Sequence, residues 1–141
     1  MAECILNCCL YFTANKLARE ITKMAEEEFN KIGLSPNYAF LLMISCKSPG
    51  ICSGDVAKEL NLDSSTVTRY VDKLEGKGLV SRESCGKNSL IYPTKEGIST
   101  NLKIQEIWDS LYHKYSKVLG YDEGKKLTKI INNAAEKLKK A

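Results

Sequence analysis

The 25 consecutive residues Val56-Ala57-Lys58-Glu59-Leu60-Asn61-Leu62-Asp63-Ser64-Ser65-Thr66-Val67-Thr68-Arg69-Tyr70-Val71-Asp72-Lys73-Leu74-Glu75-Gly76-Lys77-Gly78-Leu79-Val80 set two short helices against each other across a tight turn. Ser53 is placed to cap the first helix, which runs through Leu60 with Val56, Ala57 and Leu60 facing inward. Asn61-Leu62-Asp63 reads as the turn. Asp63 then caps a second helix from Ser64 to about Gly76. At 100° per residue, Val67, Val71 and Leu74 share one face of that helix. Ser65, Thr68, Arg69 and Asp72 point the other way, with Thr66 and Lys73 on the flank. This is the helix-turn-helix arrangement.

In such an arrangement the second helix enters the DNA major groove, and residues near its N-terminus reach base edges. Short Ser and Thr side chains permit close approach, while Arg69 is long enough for guanine or phosphate. The helix N-terminus adds free N–H groups for a phosphate. Taken alone, Ser64-Ser65-Thr66 also fits a plain capping run and Arg69 a solvated charge. The following residues decide between these readings. Leu79 to Ser84 reads as a strand, Cys85-Gly86-Lys87-Asn88 as a turn, and Ser89 to Tyr92 as the returning strand. Two helices followed at once by a hairpin make a winged helix, with Arg82, Lys87 and Asn88 as candidate backbone or minor-groove contacts.

Outside this lobe the sequence predicts long amphipathic helices. From Leu6 to Ile32, Leu10, Ala14, Leu17, Ile21, Met24 and Ile32 form an apolar stripe that ends at Gly33. Ser35-Pro36 opens a helix carrying Tyr38, Leu41, Leu42 and Ile44, which stops before Ser48-Pro49-Gly50. After Pro93, Thr94 caps a helix that is apolar over a wide arc, including Ile98, Ile104, Ile107, Trp108 and Leu111. Gly120-Tyr121-Asp122 interrupts it, and a last helix follows with Leu127, Ile130, Ile131, Ala134 and Leu138 as its seam. A winged-helix core does not need these helices, and their stripes ask for a partner. A symmetric dimer is the expected answer, with Leu6, Leu10, Ile107, Leu111, Leu127, Ile130, Ile131 and Leu138 at the interface. The expected fold is mainly α with a small β-hairpin wing, an α+β chain. Residues 1–34 form an N-terminal dimerisation helix, 35–93 a winged helix-turn-helix DNA-binding lobe, and 94–141 C-terminal dimerisation helices.

The chain has 141 residues, enough for one domain with appended helices and for a genuine core without disulfide or metal staples. Its 43% hydrophobic and 27% charged residues are those of an ordinary globular protein. No apolar stretch approaches the roughly 18 residues of a membrane span. No secretory signal is evident, so the expected location is the cytoplasm. The formal net charge is +4, spread without any basic tail, so DNA binding requires a shaped site. The six cysteines, Cys4, Cys8, Cys9, Cys46, Cys52 and Cys85, contain no Cys-x-x-Cys pair and lie far from the single His113, which excludes a zinc finger. They are expected mostly as small buried residues. The sequence has no Gly-x-Gly-x-x-Gly, P-loop or Gly-x-Ser-x-Gly, and no enzyme, metal or cofactor is expected.

The Val56–Val80 stretch, followed by Arg82, resembles the MarR family of winged-helix transcriptional regulators. Pro93-Thr94-Lys95-Glu96-Gly97 is similar to the Leu-Thr-x-x-Gly that opens the helix after that family's wing. The order of elements agrees over nearly the whole chain. The resemblance implies a homodimer with interlocked terminal helices that acts as a repressor at a pseudo-palindromic site. It places Ser64, Ser65, Thr66, Thr68, Arg69 and Lys73 on the recognition helix. It also implies release from DNA by a small organic effector or by thiol oxidation, with Cys8, Cys9, Tyr11 and Tyr38 as the candidate site. The wing departs from the family: Ser84-Cys85-Gly86-Lys87-Asn88-Ser89 lacks the usual Asp-x-Arg pair, and Lys87 is its only charged substitute. A winged-helix module that binds protein without reading DNA is the alternative. It predicts no salt-dependent DNA affinity.

Overall fold

The computed structural model describes residues 2–141, with side chains from Ile5 onward. Seven helices and three strands follow in the order α1 (Ala2–Asn7), α2 (Leu10–Phe29), a 3₁₀ turn (Asn30–Ile32), α3 (Pro36–Lys47), β1 (Ile51–Cys52), α4 (Ser53–Leu60), α5 (Ser64–Gly76), β2 (Val80–Cys85), β3 (Asn88–Pro93), α6 (Lys95–Leu119) and α7 (Tyr121–Lys139). The chain divides into two compact units, one of Glu26–Ile107 and one of the N-terminal stretch to Ala25 with Trp108–Ala141. Among the described residues no helix is long and apolar enough to cross a membrane.

The unit of Glu26–Ile107 holds nearly all the core. Phe29, Leu41, Leu42, Val56, Val67, Leu74, Ile91 and Ile104 are fully buried. They come from the inward faces of α2, α3, α4, α5, β3 and α6, so the apolar spacing on each element finds its counterpart. The strands form an antiparallel sheet in the order β1-β3-β2. Val80 pairs with Pro93 and Cys85 with Asn88, which makes the wing, while Ile51 pairs with Ile91. The two-residue β1 is an addition to the expected hairpin.

In the other unit, α1 and α2 replace the single long helix expected from Leu6. Cys8 and Cys9 stand between them, and the Cys9 N–H donates to the Leu6 carbonyl in a tight turn. Asn and Cys are poor helix formers, and Asn7-Cys8-Cys9 concentrates them where the helix breaks. Far less is buried in this unit: Leu111, Ser116 and Gly124 are the buried positions among its described residues. Leu10, Val118, Ile130 and Leu138 are 65–79% exposed.

Two expectations are corrected. None of the five cysteines with described side chains is buried: Cys8, Cys9 and Cys85 are exposed, and Cys46 and Cys52 are half-buried. Each sits on a helix face, a strand edge or a turn that the core does not cover, while Cys4 lies outside the described side chains. Ser53 is not the N-cap of α4. Cys52 occupies that position, and the Ser53 hydroxyl instead accepts the Ser89 N–H at 3.2 Å, tying α4 to the wing.

Candidate nucleic-acid interface

The turn before α5 is set by two residues. Asn61 takes a left-handed conformation (φ 57°) that closes α4, and Asp63 is the N-cap of α5. The Asp63 carboxylate accepts the Thr66 N–H at 2.7 Å and the Ser65 hydroxyl at 2.8 Å. These bonds favour the ionised form, the backbone bond from Thr66 most of all, and pull the Asp63 pKa down to about 2. The start of α5 is thus held by an anion that stays charged across the physiological range.

Val67, Val71 and Leu74 anchor α5 in the core. Their burial leaves Ser64, Ser65, Thr68, Arg69 and Lys73 exposed and Thr66 half-buried on the outer face. Arg69 Nη2 donates to Thr66 Oγ1 at 3.2 Å, which restrains the guanidinium over the first turn. The Thr68 hydroxyl donates to the Ser64 carbonyl at 3.0 Å, leaving its methyl and its lone pairs for a base edge. Tyr38 of α3 packs against Tyr70 of α5 with centroids 4.5 Å apart and the rings inclined by 49°, and the Lys73 ammonium lies 5.4 Å from the Tyr38 ring centre. Tyr38 therefore supports α5 and Lys73 within the lobe, and is not among the residues around the hollow at Cys9 and Tyr11.

Arg82 is engaged differently from a free DNA contact. Its guanidinium forms an ion pair with Asp72 and lies 3.4 Å from a Glu75 oxygen, so β2 is clamped to the outer face of α5. At the wing tip Gly86 adopts φ +59°. Cys85, Lys87 and Asn88 are exposed there, and the Asn88 amide oxygen would stand 3.5 Å from a Cβ at Gly54. The structure thus brings Ser64, Ser65, Thr66, Thr68, Arg69 and Lys73 onto one helix. Lys87 and Asn88 lie at the hairpin tip and Arg82 between the two. The roles of the Asp72 and Glu75 carboxylates and the Tyr38–Tyr70 contact escape a sequence reading, because their partners lie on other elements.

The remaining candidates are scattered. Leu6, Leu10, Ile130, Ile131 and Leu138 are exposed, Leu127 is half-buried, and Ile107 and Leu111 are buried within the chain itself. Leu127 and Ile131 line a cavity of about 190 Å3 with Leu17, Ile21 and Leu119. Cys9 and Tyr11 share a hollow with Phe12, Asn15 and Arg19. His113 lies 2.9 Å from the Tyr121 hydroxyl and 3.5 Å from Asp109. No group of three or more His, Cys, Asp or Glu among the described residues is arranged to hold a metal ion.

Residues 34–88 match the model of the MarR family. The chain is 40% identical over 50 residues to the uncharacterized HTH-type transcriptional regulator YdgJ of Bacillus subtilis, covering 36% of this chain and 30% of that protein. It is 32% identical over 79 residues to a riboflavin kinase of Pyrococcus furiosus, covering 51% of this chain and 37% of that one. The chain thus spans about a third of the length of the curated relatives it matches. Its fold is similar to that of CouR from Rhodococcus jostii RHA1 bound to p-coumaroyl-CoA (TM-score 0.75, 22% identity, 94% of this chain and 91% of that chain). It is also similar to the S. aureus MepR–DNA complex (TM-score 0.79, 17% identity, 92% of this chain and 98% of that chain). The segment that matches the MarR family model holds the helix-turn-helix and the first strand of the wing, and the fold of these two solved structures is shared along some nine-tenths of the chain.

Proposed function

We propose that this protein is a sequence-specific DNA-binding transcriptional regulator, a homodimeric repressor whose α5 helices enter successive major grooves of a pseudo-palindromic operator. The observation that carries this reading is the outer face of α5. It presents small hydroxyl side chains around an arginine restrained by Thr66, on a helix capped by an ionised Asp63. Small residues permit close approach to base edges, and the fixed guanidinium suits bidentate contact with guanine. The MepR relative was solved with DNA, which supports the same use of the fold here.

Dimerisation through 1–34 and 94–141 is supported by the exposed apolar residues in those parts of the two stretches that form the less buried unit. Leu10, Val118, Ile130 and Leu138 all leave most of their apolar side chains exposed in this unit. A two-fold partner covers them and sets the spacing of the two reading helices. A small organic effector, of which the p-coumaroyl-CoA held by CouR is a precedent, or oxidation at Cys8 or Cys9 shifts that spacing and releases DNA. The protein acts in the cytoplasm, by binding and without catalytic chemistry.

The test is a titration of the reduced protein against its own upstream intergenic DNA and a scrambled duplex of equal length, at two salt concentrations. Selective binding that falls steeply with salt is the expected result. Binding to neither duplex at low salt would leave the protein-interaction alternative in its place.

A further inference from the structure

Within the DNA-binding unit, the C-terminal half of α3, the last turn of α4 and the first half of α6 enclose an open cavity of about 450 Å3. Its lining includes Met43, Ile44, Lys47, Glu59, Asn101 and Gln105. It uses neither the exposed face of α5 nor the candidate effector residues Cys8, Cys9, Tyr11 and Tyr38. The Asn101 side-chain oxygen is buried and accepts no hydrogen bond. A carbonyl left in that state is destabilising unless something donates to it. Lys47 and Glu59 are exposed, and neither has an ion-pair partner among the described residues.

We propose that this cavity binds a free α-amino acid with an apolar side chain, held as the zwitterion. Its carboxylate pairs with Lys47, its ammonium donates to the Asn101 oxygen and faces Glu59, and its side chain lies on Met43 and Ile44. The mixed lining selects against simpler ligands. A plain anion would meet Glu59, a plain cation would meet Lys47, and a hydrocarbon would leave Asn101 unsatisfied. Burial pushes the neighbouring Cys46 thiol up, so it adds no charge to the wall. Because α4 is the first helix of the helix-turn-helix, a ligand bridging α4 to α6 also restrains the base on which α5 stands.

Calorimetric titration of the full chain with L-leucine, L-methionine and L-phenylalanine tests this without DNA, so its outcome is separate from that of the regulator reading. Saturable binding of at least one of them is expected. Analogues lacking either charge, 3-methylbutylamine and 4-methylpentanoate, should bind at least about tenfold more weakly than leucine. Asn101→Leu and Lys47→Met should each weaken the amino acid by about 10- to 100-fold. Lys47 is exposed, so its variant tests the site even if Asn101→Leu does not fold. No saturable binding of any of the three amino acids, or unchanged affinity in Lys47→Met, would overturn the proposal.

Discussion

Arg82 on the wing is ion-paired with Asp72 on the recognition helix, and Glu75, one helical turn further on, lies 3.4 Å from the same guanidinium nitrogen. The single guanidinium offsets one of the two carboxylate charges on the helix proposed to approach phosphates. Arg82→Met should therefore act mainly on DNA affinity. The acids are 52% and 41% exposed, so the pairs contribute only about 0–1 kcal/mol to stability. The melting temperature should fall by no more than a few degrees. DNA affinity should fall about three- to tenfold, because the charge no longer offset then repels the backbone. Adding Asp72→Asn and Glu75→Gln should restore most of it, as read by fluorescence anisotropy. If the triple variant stays weak and its salt dependence is shallower by about one ion, Arg82 touches a phosphate directly.

Asp63 offers a pH test with a definite sign. Its folded pKa, about 2, lies below the ordinary value of 3.8. Its contribution is therefore fully present above about pH 4 and is lost as pH falls through about 2. Asp63→Ala should lower the melting temperature by a few degrees at neutral pH, while Asp63→Ser, which keeps an acceptor, should lose less. The gap between wild type and Asp63→Ala should close in acid. A gap of equal size at about pH 2 would mean that the charge on the cap is irrelevant.

These two residues also mark what the sequence could and could not reveal. Asp63 was legible because a cap acts on its own helix: the turn, the Ser-Ser-Thr run and the Val67, Val71, Leu74 spacing all lie within the 14 residues from Asn61 to Leu74. The wing was legible for the same reason, from strand composition around a glycine turn. The Arg82–Asp72 pair was not, because it joins residues ten apart on different elements, and either side chain alone is an ordinary surface charge. Strand β1 is two residues long and is defined by its pairing with β3, Ile51 opposite Ile91 and Cys52 opposite Leu90. The break at Cys8-Cys9 was hidden because the apolar stripe continues on either side of it. Tyr38, expected near an effector, is claimed by Tyr70 and Lys73, a pairing that depends on how α3 and α5 cross.

Gly97 explains the motif at the start of α6. Thr94 caps that helix, accepting the Gly97 N–H at 3.1 Å and donating to the Gly78 carbonyl at 2.6 Å. The cap draws the first turn so close to Leu79 that a Cβ at Gly97 would stand 2.1 Å from the Leu79 carbonyl oxygen. Backbone lies on both sides, so no side-chain rotation relieves the clash. Gly97→Ala should destabilise the fold by about 3 kcal/mol or more, beyond the usual gain in helix propensity. Thr94→Val, which removes the cap but adds no clash, should cost only about 1 kcal/mol. Denaturant melts of the two variants check the order, and a Gly97→Ala protein as stable as wild type would contradict the close approach.

Leu10 and Leu111 separate assembly from folding. Both carry the apolar stripes assigned to the dimer, yet Leu10 is 67% exposed in the chain and Leu111 only 8%. Leu111→Ala should therefore act as a core truncation, with a loss of about 2–5 kcal/mol. Leu10→Asp removes little packing within the chain. Instead it places a charge where a two-fold partner must bury apolar surface, and in a symmetric dimer each such substitution acts twice. It should shift the protein from dimer to monomer in light scattering while leaving the secondary structure of the DNA-binding unit in place. Because two linked reading helices bind far more tightly than one, DNA affinity should fall in parallel with the loss of dimer. A Leu10→Asp protein that remains fully dimeric at micromolar concentration would move the interface away from the N-terminal helix and onto the exposed face of α7.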